Sequence, residues 1–170
     1  FTGQRVVPAA NRFRVTQSMG DVVAYSGALR RLAVELGKVA SDLRLLSMGP
    51  RAGLAEILLP VVQPGSSIMP GKVNPSMAEM LAMVAYQVVA LDGAIAWAAS
   101  GGQLELNVMM PLVAFDLCHA LEILASAVRA FDLRCARGLE PDAARCRHFA
   151  DRTVSLATAR SSDARSELHA

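Results

Sequence analysis

The chain has 170 residues, 53% hydrophobic and 19% charged, with 5% aromatic residues and a formal net charge of +2. That composition excludes a disordered chain and requires a large apolar core built from Ala, Leu, Val and Met. The weak charge, with Lys and Arg scattered and few aromatics among them, argues against a nucleic-acid partner.

In chain order, residues 1–10 are irregular, with Gly3 and Pro8. Asn11 is a suitable N-cap for a long helix from about 12 to 47. In it Leu29, Leu32, Ala33, Leu36, Val39, Ala40, Leu43 and Leu46 recur at three- and four-residue steps. Arg30, Arg31, Glu35, Lys38, Asp42 and Arg44 fall mostly on the other side, which is the pattern of an amphipathic helix. Met48-Gly49-Pro50 stops it. Residues 49–75 are rich in proline and glycine, and Ile57-Leu58-Leu59 reads as a short extended piece. Pro75 suits the first turn of a second helix, apolar all round from 80 to 99. Its length and hydropathy approach those of a membrane span, but Gln87, Gly93 and many alanines favour a helix buried within a bundle. Gly101-Gly102 breaks the chain. A third helix is expected from about 106 to 135, bent near Pro111. A fourth should start at Pro141 or Asp142 and run to about 159. The fold class is therefore all-α, a bundle of long helices with almost no strand. Two of these helices lack a polar face and need neighbours on every side, which implies self-association or further domains.

Cys118, Cys135 and Cys146 cannot all pair, and no metal-ligand spacing links Cys and His. A reduced cytoplasmic compartment without structural zinc follows. The chain opens at Phe1 without a methionine and is read as a fragment.

The loop GSSIMPGKVNPSMAE, from Gly65 to Glu79, poses the chemical question. It is not a phosphate-binding P-loop, because five residues separate Gly65 from Gly71 and Val73 stands where the hydroxyl belongs. The nucleophile elbow G-x-S-x-G is also missing. Proton abstraction beside a carboxylate fits better. That chemistry needs a base at carbon and cations or N–H donors at the carboxylate oxygens. Lys72 is a point charge, Asn74 an amide donor, and the Gly65-Ser66-Ser67 backbone an anion nest in which a serine could be held as an alkoxide base. The plain alternative is a turn-rich connector.

The same stretch closely resembles the signature of the aspartase/fumarase superfamily, GSSxMPxKxNxxxxE. Every fixed position matches: Gly65, Ser66, Ser67, Met69, Pro70, Lys72, Asn74 and Glu79. Asp42-Leu43-Arg44-Leu45-Leu46 with the following GPRAGL, and GQLELNV from Gly102, look like the family's flanking segments. The resemblance covers residues 1 to about 158. It implies the central helical-bundle domain of a homotetramer, with five long helices per subunit and a site assembled from three subunits. It also implies anti elimination of ammonia or water from a four-carbon diacid, aspartate or malate, to give fumarate.

By the motif, Ser66 is the catalytic base, and Lys72 and Asn74 bind substrate carboxylate. Ser67 is a supporting donor, and Glu79 orients a histidine that acts in the site through water. No metal or organic cofactor is expected. GQLELNV and RLLSMGPRAGL lean to aspartase, whereas Asn11-Arg12-Phe13 leans to class II fumarase. A non-catalytic scaffold related to lens crystallin is the reading from another class. Gln103, Glu105 and Asn107 read as structural residues and His119 as a packed core histidine. The family's N-terminal domain, with the histidine for Glu79, lies outside the match. Residues 159–170 depart from the family and read as a disordered tail.

Overall fold

The computed structural model describes residues 3–65, 67–69 and 71–153. Ser66, Pro70 and the stretch 154–170, which contains the expected tail, lie outside the described residues. The helices are α1 (Arg12–Gln17), α2 (Gly20–Leu46), α3 (Ser76–Ser100), α4 (Met110–Arg134) and α5 (Ala143–Ala150). Two two-residue strands, β1 (Ile57–Leu58) and β2 (Glu140–Pro141), pair antiparallel, Ile57 opposite Pro141.

α3 lies between α2 and α4, which barely touch each other. The core clusters run antiparallel along this layer. Ala40 and Ala127 meet Ala78 and Leu81 at one end. Ala33, Ala120 and Leu124 meet Ala85, Val88 and Leu91 in the middle, and Val113 meets Ile95 and Ala98 at the other end. The buried residues of α2 are Ser26, Ala33 and Ala40, seven apart. A seven-residue repeat keeps one seam of a helix against its neighbour, and small side chains let the axes approach. Leu32 and Val39, expected on the apolar face, remain 47% and 46% exposed, because the seam is centred on the small residues.

α3 and the stretch Met110–Gly138 are long and apolar enough by length and composition to cross a membrane. Their buried seams pack against each other and against α2, as core helices do. Their outer faces still expose Tyr86, Trp97 and Phe115, the unsatisfied apolar surface that the sequence implied. A polar layer crosses the middle of the α2–α3 seam. The Asp92 carboxylate accepts from the Ser26 hydroxyl at 2.7 Å and from Arg30 at 2.8 Å.

Three expected boundaries are corrected. The helix expected over 12–47 is two helices, broken at Ser18, whose backbone is extended. The break sits where the Asn107 amide N–H donates to the Thr16 carbonyl at 3.0 Å, capping α1 from a distant loop. The third helix starts at Met110 rather than 106, and Pro111 occupies its first turn instead of bending it. Asn107 explains the later start. It is 1% exposed, its amide group donates to the Ala98 and Ala99 carbonyls, and its oxygen accepts from the Met109 N–H. It therefore ends α3 and starts α4, as its structural reading required. The fourth helix ends at Ala150 rather than near 159. Its last turn tightens through Arg152 and Thr153, whose N–H groups bond three residues back, a common way to close a helix. Its start agrees with expectation, because the Asp142 side chain caps the Arg145 N–H at 2.9 Å. His119 is half-buried and stacks on Phe115, with ring centroids 6.0 Å apart.

Candidate active site

The site region forms where the C-terminus of α2, the segment after β1 and the N-terminus of α3 meet. Antiparallel packing brings the last turns of α2 beside the first turn of α3. The chain leaves β1, forms the signature loop and enters α3 at Ser76, directly after Pro75. The fixed φ of proline suits that entry. Two contacts close the loop at its neck. Gln63 donates to the Ser76 hydroxyl at 2.8 Å. Gly65 then packs so tightly on the returning strand of the loop that a Cβ on it would lie 1.8 Å from the Lys72 carbonyl oxygen. Beyond this neck the Lys72 N–H donates to the Met69 carbonyl at 3.1 Å, and Gly71 turns the chain with φ +80°, a conformation glycine adopts without a steric cost.

The described part of the loop is thus pinched at its neck. Ser67 and Lys72 are exposed on it, and Asn74 and Glu79 are half-buried at its base. Asn74 opens on a cleft of about 240 Å³ with Ser47, Ile57, Leu58 and Leu59. Glu79, in the first turn of α3, opens on a second cleft of about 410 Å³ with Ser41, Arg44 and Met48. Pro75 lines both clefts and forms their common wall. A carboxylate in a first helical turn is favoured by the partial positive charge of the helix end. The structure therefore gathers Ser67, Lys72, Asn74 and Glu79 around one short stretch but divides Asn74 from Glu79 by Pro75. Ser66 lies outside the described residues.

Among the described residues no histidine lines either cleft, and no three His, Cys, Asp or Glu gather as a metal-holding group. Ser41 and Arg44 were missed as cleft residues in the sequence. Arg44 fell on the polar face of a periodic helix, and only its place in the last turn, ahead of Met48-Gly49-Pro50, hinted at more.

Comparison with known proteins gives the family and the fold. A family model described as a lyase matches residues 1–90. The chain belongs to the fumarate lyase family. It is 49% identical over 159 residues to an aspartate ammonia-lyase of Pseudomonas fluorescens, covering 94% of this chain and 33% of that protein. It is 48% identical over 158 residues to a class II fumarate hydratase of Pseudomonas aeruginosa, covering 93% of this chain and 34% of that protein. Among solved structures, a fumarate lyase:delta crystallin of Brucella melitensis superposes with a TM-score of 0.86 at 47% identity, over 91% of this chain and 34% of that one. The chain spans about a third of the length of these curated relatives. The long-helix bundle is that of the fumarate lyase family.

Proposed function

We propose that the protein is an aspartate ammonia-lyase, releasing ammonia and fumarate from L-aspartate by reversible anti elimination, and that this chain supplies its signature loop. What carries the elimination chemistry is that loop, while the lean to ammonia as leaving group rests on GQLELNV and RLLSMGPRAGL. The loop's eight fixed positions all match the family pattern, and its neck keeps the lysine, the asparagine and the glutamate at one end of the bundle.

In the reaction, Ser66 as alkoxide takes the C3 proton. The electron pair moves into the adjacent carboxylate, which carries two negative charges in the intermediate. Lys72 and Asn74 hold a substrate carboxylate, with Ser67 as a supporting donor. Such groups accelerate the step because they are already oriented where charge develops. The intermediate then forms the double bond as the C2–N bond breaks and the C2 ammonium leaves as ammonia. Glu79 orients a histidine supplied from outside the chain, which acts through water. Residues 1–158 act as part of the central domain of a cytoplasmic homotetramer. The chain alone has little or no activity, because it lacks that histidine.

A second reading, class II fumarate hydratase acting on L-malate, is favoured by the nearly equal identity to the Pseudomonas aeruginosa hydratase and by Asn11-Arg12-Phe13. The leaving group separates the two, and discrimination resides in contacts to the amino or hydroxyl group.

The test is fumarate release, followed by ultraviolet absorbance, from L-aspartate and from L-malate in parallel. The chain is assayed alone and together with its upstream region. Release from aspartate only, by the longer protein only, is expected. Release from malate only would replace aspartase by fumarase, and robust turnover by this chain alone would refute its dependence on an outside histidine. Ser66→Ala should abolish release without altering melting, and retained activity would remove Ser66 as base.

A further inference from the structure

The turn after α2 is strained. Ala55 sits at φ +50°, a region that L side chains disfavour and that persists only where the surroundings impose it. Part of the constraint is local. The Ala55 N–H donates to the Met48 carbonyl at 2.9 Å and the Glu56 N–H to the Leu46 carbonyl at 2.9 Å. Gly53 is pressed so closely that a Cβ on it would lie 2.1 Å from the Met48 oxygen.

The rest of the constraint comes from α5. Arg145 donates through Nε to the Leu54 carbonyl and through a terminal nitrogen to the Gly53 carbonyl, both at 2.9 Å, across sequence separations of 91 and 92 residues. Its guanidinium also lies 5.0 Å from the centre of the Phe149 ring. The Asp142 N–H and the Cys146 thiol both donate to the Glu56 carbonyl, at 2.8 Å and 3.4 Å. Directly after this anchored turn come Ile57, Leu58 and Leu59, which wall the Asn74 cleft.

We propose that Arg145 is a positioning residue for the Asn74 side of the site: its two-donor fork holds the strained turn at Ala55 and so sets the wall of residues 57–59 against Asn74. A planar guanidinium gives two directed, charge-assisted bonds, which an ammonium cannot reproduce. The clamp stands on the geometry. That the cleft receives a small dicarboxylate rests on the function proposed above.

The test uses the 170-residue chain labelled with nitrogen-15. In Arg145→Met the amides of Ala55 and Glu56 should exchange about tenfold faster or more. The Asn74 side-chain amide resonance should move, while Val88 and Leu91 keep their protection. Arg145→Lys retains the charge but not the fork and should fall between. An unmoved Asn74 resonance overturns the proposal. So does an equal loss of protection at Val88 and Leu91, which would make Arg145 a general stability residue. Fumarate is titrated separately into the protein carrying its upstream region. Silence of Asn74 and Lys72 there would sink the substrate reading and leave the clamp result standing.

Discussion

Asp92→Ala tests how the α2–α3 seam is held. The Asp92 residue is 5% exposed, and its carboxylate accepts from the Ser26 hydroxyl at 2.7 Å and from Arg30 at 2.8 Å. Truncation acts differently on the two donors. The Arg30 side chain is 55% exposed, so it returns to water and the ion pair contributes little net energy. Ser26 is 3% exposed, and orphaning its hydroxyl costs about 1–3 kcal/mol. The lost side-chain volume adds about 1 kcal/mol. The expected loss is therefore roughly 2–4 kcal/mol, set mainly by Ser26. Urea unfolding of the chain measures it as a lower midpoint at unchanged slope. Ser26→Ala placed in the Asp92→Ala background should recover about 1 kcal/mol, because the stranded hydroxyl is removed. If the double variant is less stable than Asp92→Ala, the hydroxyl was not the source of the cost and the account of the polar layer fails. The layer has a functional consequence too. A slip of α2 along α3 by one helical turn, about 5.4 Å, would carry Arg44 away from the Glu79 cleft.

Gly65→Ala should spare the core and injure the loop. The added Cβ would lie 1.8 Å from the Lys72 oxygen, so the neck must open. Stability should fall by under about 1 kcal/mol, since the neck meets α3 at its first residue, Ser76, outside the buried seam. Trypsin should cut after Lys72 faster, and fumarate release by the complete protein should drop about a hundredfold, the effect of an ångström-scale misplacement; unchanged cleavage would remove the neck from the account. The thiols offer a third test. Burial pushes the Cys135 thiol above its ordinary pKa, so thiol reagents should modify exposed Cys118 well before Cys135. The sign for stability follows. The contribution of a protonated Cys135 is complete below the unfolded thiol pKa and is lost as pH rises towards the folded one, because the unfolded state releases its proton first. Cys135→Ala should flatten that alkaline loss, and an identical alkaline profile in the variant would contradict it.

The long helices were legible because three- and four-residue spacing is a property of each segment alone. So were the start of the fourth helix at Pro141 or Asp142 and the turn-rich character of 49–75. The break at Ser18 was not, since a helix reading of 12–47 contains nothing to announce that Asn107 would bond to Thr16. The same residue hid the start of α4: once its side chain joins the end of α3 to Met109, Pro111 falls in a first turn rather than a bend. At the site, the candidate residues all come from one contiguous motif. The walls around them do not. Ser41, Arg44 and Ile57 reach the clefts through packing of separate elements, and Arg145 reaches its turn across most of the chain.

The distance in sequence between Arg145 and its turn also orders events in time. The three antiparallel helices pair with near neighbours along the chain, and contacts of that kind form early. The clamp must instead close a loop of 91 residues, and the entropy of that closure is paid before its bonds can return anything. During synthesis the helical layer can therefore assemble while α5 is still inside the ribosome. The wall beside Asn74 takes its final place only when Arg145 emerges, so the site is finished by almost the last residues that the structure describes.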